Sequence, residues 1–237
     1  MLVRGFPAQA FGTNCYVVAP GPGEQCVVVD PGIGVEQQLD DLLREHRLQP
    51  VAVLLTHGHL DHTFSVTPVC GARGIPALIH PADRDQLADP VKYLSGESGA
   101  LFGGRLEWTE PDDVQLLDPE VPLELAGLHL QVDLAPGHTP GSVVFRTPGS
   151  EVGGEAAAPV LLSGDVLFAG SIGRCDLPGG SWEAMQRSLA DVILPLPDDT
   201  VVLPGHGPAT TIERERATNP YLRDLADDPR PPASRGL

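Results

Sequence analysis

Long apolar runs are missing from this sequence. No stretch approaches the roughly eighteen uninterrupted apolar residues of a membrane-spanning helix, and the N-terminal "MLVRGFPAQAFGTNCYVVAP" lacks the continuous hydrophobic segment of a secretory signal. The expectation is a cytoplasmic protein with no membrane partner. Positive charge is also scarce. Fifteen basic residues stand against thirty-two acidic ones, for a formal charge of −17, and Lys92 is the sole lysine. No basic patch interrupts the acidic excess, which argues against nucleic acid as a partner. Cysteine is sparse and scattered. Cys15, Cys26, Cys70 and Cys175 form no CxxC pair and no dense disulfide framework, so all four are expected as free thiols, most of them packed as small hydrophobes.

Glycine and proline are plentiful. With 27 Gly, 25 Pro and 41 % hydrophobic residues in 237 positions, the chain reads as a turn-rich globular α/β protein able to bury a substantial core. Short β-rich runs alternate with helical patterns. "CYVVA" and "QCVVVD" read as strands, with Asp30-Pro31-Gly32 as a breaker, and "VEQQLDDLLREH" places Val35, Leu39, Leu42 and Leu43 at helical spacing. "VAVLLT", "IPALIH", "LHLQVDLAP", "SVVFRT", "PVLLSGD" and "TVVLPGHGP" read as further strands, and "WEAMQRSLADVIL" as an amphipathic helix. "SVTPVCGARG" starts a helix, the irregular segment from Pro81 to Glu110 is a helix-containing insertion, and "GSEVGGEAAAP" is a low-complexity surface loop.

The chemically suggestive residues all lie where an apolar strand stops. In "LLTHGHLDHTF", His57, His59, Asp61 and His62 follow "VAVLL"; His138 follows "VDLA", Asp165 follows "VLLSG" and His206 follows "VVLPG". Strand ends are where α/β proteins build active sites. Imidazole and carboxylate suit zinc and other divalent first-row ions, and seven such groups are too many for one tetrahedral ion but adequate for two that share a bridging group. On an extended loop His57 and His59, two apart, point toward one ion; Asp61 and His62 start the next element and face the second. Asp165 is the natural bridge, because a carboxylate offers two oxygens.

The pattern His57-x-His59-x-Asp61-His62 with downstream His138, Asp165 and His206 resembles the metallo-β-lactamase superfamily over nearly the whole chain. The resemblance implies a single domain spanning residues 1–237, a four-layer αβ/βα sandwich of two mixed β-sheets with helices on the outer faces. It further implies His57, His59 and His138 on a first metal, Asp61, His62 and His206 on a second, and Asp165 between them. Zinc is the default ion, with iron or manganese as alternatives.

"SGDVLFAGSIGRCDLPGG" and "LPGHGPATTIERERATNPYL" are similar to the compact bacterial branch of hydroxyacylglutathione hydrolases, the type II glyoxalases. That resemblance implies hydrolysis of a small thioester, with Asp61 orienting the nucleophile as well as binding metal. Two departures stand out. The sequence stops soon after His206, before any long helical C-terminal domain, and Glu213 occupies a position where the compact branch usually has Gly. True β-lactamases usually carry Cys at the position of Asp165, which disfavours antibiotic hydrolysis. Persulfide dioxygenases share the "GR-x-D" segment and hold one iron by two His and one Asp, a set that His57, His138 and Asp165 would supply. A metal-binding module without turnover is the non-enzymatic alternative.

Several other residues are singled out. Arg174 is a candidate for a substrate carboxylate, with an internal Arg174–Asp176 pair as the competing reading. Tyr93, Phe102, Phe168 and Tyr221 are candidates for the pocket wall, Thr56 and Thr139 for supporting hydrogen bonds to histidines, and Cys175 for packing. His46, His80 and His129 are read as structural.

Overall fold

The structure, a computed structural model, describes residues 1–93, 108–119, 121–148, 151–152, 155–156 and 158–227. Its strands carry apolar residues on both faces, and the two-residue period sorts them. In β3 (Gln25–Val29), Cys26 and Val28 enter one core while Val27 and Val29 enter another. A strand apolar on both faces must be covered on both, which demands layers.

The first sheet consists of β1 (Leu2–Pro7), β2 (Asn14–Ala19), β3, β4 (Gln49–Leu54), β5 (Ala77–Ile79) and β6 (Val114–Leu116), in that spatial order. Its first two pairings are antiparallel and the rest parallel. The second is built from β7 (Leu123–Leu125), β8 (Leu128–Leu134), β9 (Val143–Thr147), β12 (Val160–Gly164), β15 (Val201–Pro204) and β16 (Thr210–Thr211), in the order β16-β15-β12-β9-β8-β7. Only β12 and β15 run parallel in it. Two small hairpins complete the strands: β10 (Glu151–Val152) with β11 (Glu155–Ala156), and β13 (Leu167–Phe168) with β14 (Ser171–Ile172). The first of these lies within the segment expected as a plain loop.

Between the sheets, Val18, Val27, Val29 and Leu54 meet Leu130, Val132, Phe145 and Leu162. Each of these large side chains is essentially fully buried and contributes about 1.5–3 kcal/mol. Outside the first sheet, α1 (Glu36–His46) buries Leu39 and Leu43, and α3 (Val66–Gly71) adds Val66, Val69 and Cys70. Outside the second sheet, α5 (Trp182–Ser188), α6 (Ile212–Thr218) and α7 (Pro220–Asp227) cover Val144, Leu161 and Val202 with Met185, Ile212 and Leu222. The Ser181 hydroxyl caps α5 by accepting from Ala184 N at 3.2 Å. Past Ser188 that helix widens into a π turn, Leu189–Ile193, where regular α-helix was expected; Leu194 N reaches back five residues to Leu189 O. The result is the expected four-layer αβ/βα sandwich.

The insertion begins as a 3₁₀ turn (Pro81–Asp83), α4 (Arg84–Ala88) and a second 3₁₀ turn (Pro90–Tyr93); Phe102 lies outside the described residues. Among the described residues no helix is long and apolar enough to cross a membrane. All four cysteines are free, three buried and Cys175 half-buried.

Candidate metal centre

Beyond β4 the chain runs through Thr56 into His57, and both are held by a carboxylate from the end of β3. Asp30 Oδ1 accepts from Thr56 N at 2.8 Å, and Asp30 Oδ2 accepts from Thr56 Oγ1 at 2.6 Å. With its proton given to Asp30, the Thr56 hydroxyl accepts from His57 Nδ1 at 3.0 Å. Asp30 Oδ2 also accepts from His62 Nδ1 at 2.9 Å. His138 Nδ1, in turn, donates to the carbonyl of Arg174 at 2.7 Å. These outward bonds orient three rings, so that the Nε2 atoms of His57, His62 and His138 all face inward.

Those nitrogens converge with other potential ligands. His57 Nε2 is buried with no hydrogen-bond partner among the described residues. His59 caps the short helix α2 (Leu60–Thr63), its carbonyl accepting from His62 N, and brings its Nδ1 to 2.8 Å from His138 Nε2. Helix α2 then presents Asp61 and His62. Asp61 Oδ2 accepts from Thr13 Oγ1 at 2.9 Å and lies 3.1 Å from His206 Nε2, which is itself 3.3 Å from His62 Nε2. Asp165 sits between the groups, with Oδ1 3.3 Å from His62 Nε2 and Oδ2 3.4 Å from His138 Nε2. Three sets have their potential ligand atoms mutually within 4.8 Å: His57, His59 and His138; His57, His62 and Asp165; Asp61, His62 and His206. A buried assembly of inward ring nitrogens and carboxylates, with His57 Nε2 and Asp165 Oδ1 both left without a hydrogen-bond partner among the described residues, fits divalent cations.

The titration behaviour reflects the crowding. Burial and the neighbouring rings push His57 well down, and burial with His138 pushes His59 down to about 3. Burial acts the same way on His62 and His206, but the carboxylates outweigh it. Asp165 and Asp61 raise His62, and the hydrogen bond to Asp61 raises His206. Asp61 and Asp165 are held below the usual carboxylate range despite burial, both chiefly by His62.

Close backbone approach makes this possible. A Cβ on Gly205 would collide with Asp165 Oδ1 and come within 2.6 Å of His62 Cε1, so only glycine lets β15 deliver His206. From the first sheet, Asn14 N donates to Gly205 O at 2.7 Å and Tyr16 Oη donates to Pro204 O at 2.8 Å, stitching β2 to the end of β15.

A cleft of about 490 Å³ opens over the centre, with His59, Asp61, His138, Asp165 and His206 on its surface and Phe11, Leu60, Phe168, Ile172 and Leu177 among its walls. Tyr93 and Phe168 line it as expected. Tyr221 instead packs against Trp182, ring centroids 5.9 Å apart. Arg174 also lines the cleft, with Nε and Nη2 each 2.8 Å from an oxygen of Asp176. Thr56 supports a histidine as expected, but Thr139 does not: its hydroxyl donates to Asp83 Oδ2 at 2.6 Å.

Sequence reasoning missed Asp30, Thr13, Asp83 and Phe11. Asp30 stands at the end of "VVV", so the strand-end rule that found the other residues covers it as well. It adopts the left-handed conformation (φ 50°), which Asp tolerates better than most residues.

The sequence matches the metallo-beta-lactamase superfamily over residues 8–206. It is 36 % identical to the probable metallo-hydrolase YqgX of Bacillus subtilis, covering 94 % of this chain and 98 % of that protein. It is 32 % identical to the hydroxyacylglutathione hydrolase GloC of Haemophilus influenzae, again over 94 % and 98 %. Among solved structures, the BLEG-1 B3 metallo-beta-lactamase superposes with a TM-score of 0.79 at 37 % identity, covering 93 % of this chain and 99 % of that one. TTHA1623, solved in a di-iron-bound form, gives 0.74 at 37 % identity over 92 % and 100 %. Layered sheets, a histidine-carboxylate centre at their strand ends and these matches have one common meaning: the chain belongs to the metallo-β-lactamase superfamily.

Proposed function

We propose that this protein is a thioester hydrolase of the glyoxalase II type, which converts an S-2-hydroxyacyl thiol to a 2-hydroxy acid and a free thiol at a centre of two divalent ions. One observation carries the two-ion part of the reading: inward ring nitrogens and two carboxylates, supplied by both sheets, crowd together more densely than one ion's ligands require. His57, His59 and His138 would hold one ion, Asp61, His62 and His206 the other, with Asp165 between them. Nitrogen and oxygen donors of this kind suit zinc, and iron or manganese equally satisfies their chemistry. When bound, such ions supply Lewis acidity, a water acidified toward neutral pH and a polarised carbonyl.

The remaining roles belong to the chain. Asp61, pinned by Thr13, orients the nucleophile through its carboxylate. The apolar wall of Phe11, Leu60, Phe168 and Ile172 seats the acyl-thiol and limits competing water. A thiolate with a pKa near 8.5 leaves without much general-acid help, so a centre rich in acceptors and poor in proton donors is adequate. The Arg174 guanidinium meets the substrate as a pair already neutralised by Asp176. GloC, named for hydroxyacylglutathione hydrolysis, supports the thioester reading.

Elemental analysis of the purified protein, paired with thiol release from S-lactoylglutathione, tests the proposal. About two metal ions per chain and released thiol are expected. One iron per chain, with oxygen uptake on glutathione persulfide and no thiol release, would replace it with a dioxygenase. Faster opening of a β-lactam than of any thioester would replace it with the activity named for BLEG-1. Bound metal without turnover of any of these would leave a metal-binding module.

A further inference from the structure

We infer that Asp83, on the 3₁₀ turn after β5, is a positioning residue that clamps the His57–His59 loop to the His138 loop and thereby sets the first metal triad; the inference rests on the two-ion reading above. The side chain is fully buried and, apart from the Gln86 amide that donates to its Oδ1 at 3.3 Å, far in sequence from everything it holds. Asp83 Oδ2 accepts from Gly58 N at 2.9 Å and from Thr139 Oγ1 at 2.6 Å. Oδ1 accepts from Gly141 N at 2.7 Å. Gly58 is the residue between His57 and His59, whereas Thr139 and Gly141 follow His138, so one carboxylate grips loops from opposite sheets.

The fit leaves no slack. A Cβ at Gly141 would come within 2.6 Å of Asp83 Cγ, and one at Gly58 within 2.6 Å of Gln86 Cβ, in the helix that Asp83 precedes. Both loops therefore press directly on the clamp. All three groups donate, and a carboxylate is the one side chain of this size that accepts on both of its oxygens; an amide would turn a donor toward Gly58 or Gly141 and release it. The second triad has other supports. Asp30 orients His62 and Thr13 holds Asp61, and neither touches Asp83. Loss of the clamp should accordingly be felt on one side of the centre only.

Zinc titration of the metal-free full chain against a chromophoric chelator reads this directly. Asp83→Asn is expected to weaken one of the two binding steps by roughly ten- to a hundredfold and to leave the other within about threefold. ¹¹³Cd resonances identify the weakened site, since one triad offers three nitrogens and the other two nitrogens and a carboxylate. Thr139→Val removes one donor and keeps the carboxylate; it is expected to fold normally and to weaken the same step about threefold. Circular dichroism and melting temperature report folding separately, and if Asp83→Asn does not fold, Thr139→Val decides. Equal weakening of both steps, or no change in either, would overturn the inference and leave Asp83 a packing residue. A wild-type chain that takes up neither zinc nor iron nor manganese would overturn the two-ion reading and this inference together. Two bound zinc ions without thioester hydrolysis would remove the substrate proposal alone, and the titration would still decide the role of Asp83.

Discussion

The first sheet delivers four of the seven converging side chains, His57, His59, Asp61 and His62, from one loop and one helical turn, while the second delivers His138, Asp165 and His206 from three separate strand ends. The supports differ in the same way. Side-chain carboxylates and hydroxyls orient the first group directly, with Asp30 on His62 and Thr13 on Asp61, whereas in the second the ring of His138 is oriented by a main-chain atom, the Arg174 carbonyl, and side chains such as Asp83 and Tyr16 act on the flanking backbone. A compact motif relies on dedicated partners to orient its rings; dispersed residues rely on sheet register.

The largest test of that contrast is Asp165, whose two oxygens reach His62 of the first group and His138 of the second. Asp165→Ala is expected to lower kcat/KM on a responsive thioester by on the order of a thousandfold or more and to leave at most one metal per chain by elemental analysis. His206→Ala should remove only the second ion, with a smaller loss of rate. Asp30→Asn comes next. An amide in place of that carboxylate cannot accept from both Thr56 and His62 as before, and a ten- to hundredfold fall in metal affinity is expected by chelator competition.

A pH titration of the metal-free chain separates the two triads more finely. His57 and His59 have depressed values, so the stability they contribute is present above the ordinary 6.5 and is lost as pH falls, for His59 toward about 3. His62 and His206 have raised values, so their contribution is full below 6.5 and is lost as pH rises through the raised values. Ring-proton NMR should find the first pair neutral and the second protonated at pH 6.5. Zinc affinity at the second triad should rise with pH, because metal there displaces protons. The smallest effect is expected at the cleft edge. Asp176→Ala removes the carboxylate that pairs with the Arg174 fork, and KM for a carboxylate-bearing thioester should fall a fewfold while kcat holds; an unchanged KM would argue against a substrate contact there.

The layers and the seven metal-ligand candidates were legible in the sequence because each leaves a local trace. Uninterrupted runs such as "VAVLL" announce strands buried on both faces, and a histidine or carboxylate where such a run stops is conspicuous. The supports leave no such trace. Asp83 sits in "HPADRD", an ordinary polar turn, and its partners lie 25, 56 and 58 residues away. Thr13 and Phe11 fall in the β1–β2 connection, whose role depends on where the end of β15 arrives. The short strands β6 and β7 carry too few residues for alternation to show, and β1 is half exposed. Reading Asp30 as part of a breaker is correct, since β3 stops at Val29, but incomplete. Asp-Pro-Gly is turn chemistry, and here the turn residue is also the one that orients His62.

The stitch between Asn14, Tyr16 and the end of β15 bears on biosynthesis. A chain emerging from the ribosome exposes His57, His59, Asp61 and His62 long before residues 138–206 have been made. The N-terminal hairpin that closes over His206 must wait, unlatched, for nearly the whole sequence. The full set of seven candidate ligands is therefore complete only after His206 has been made, and a nascent chain presents any cation with four of them at most until His138 emerges.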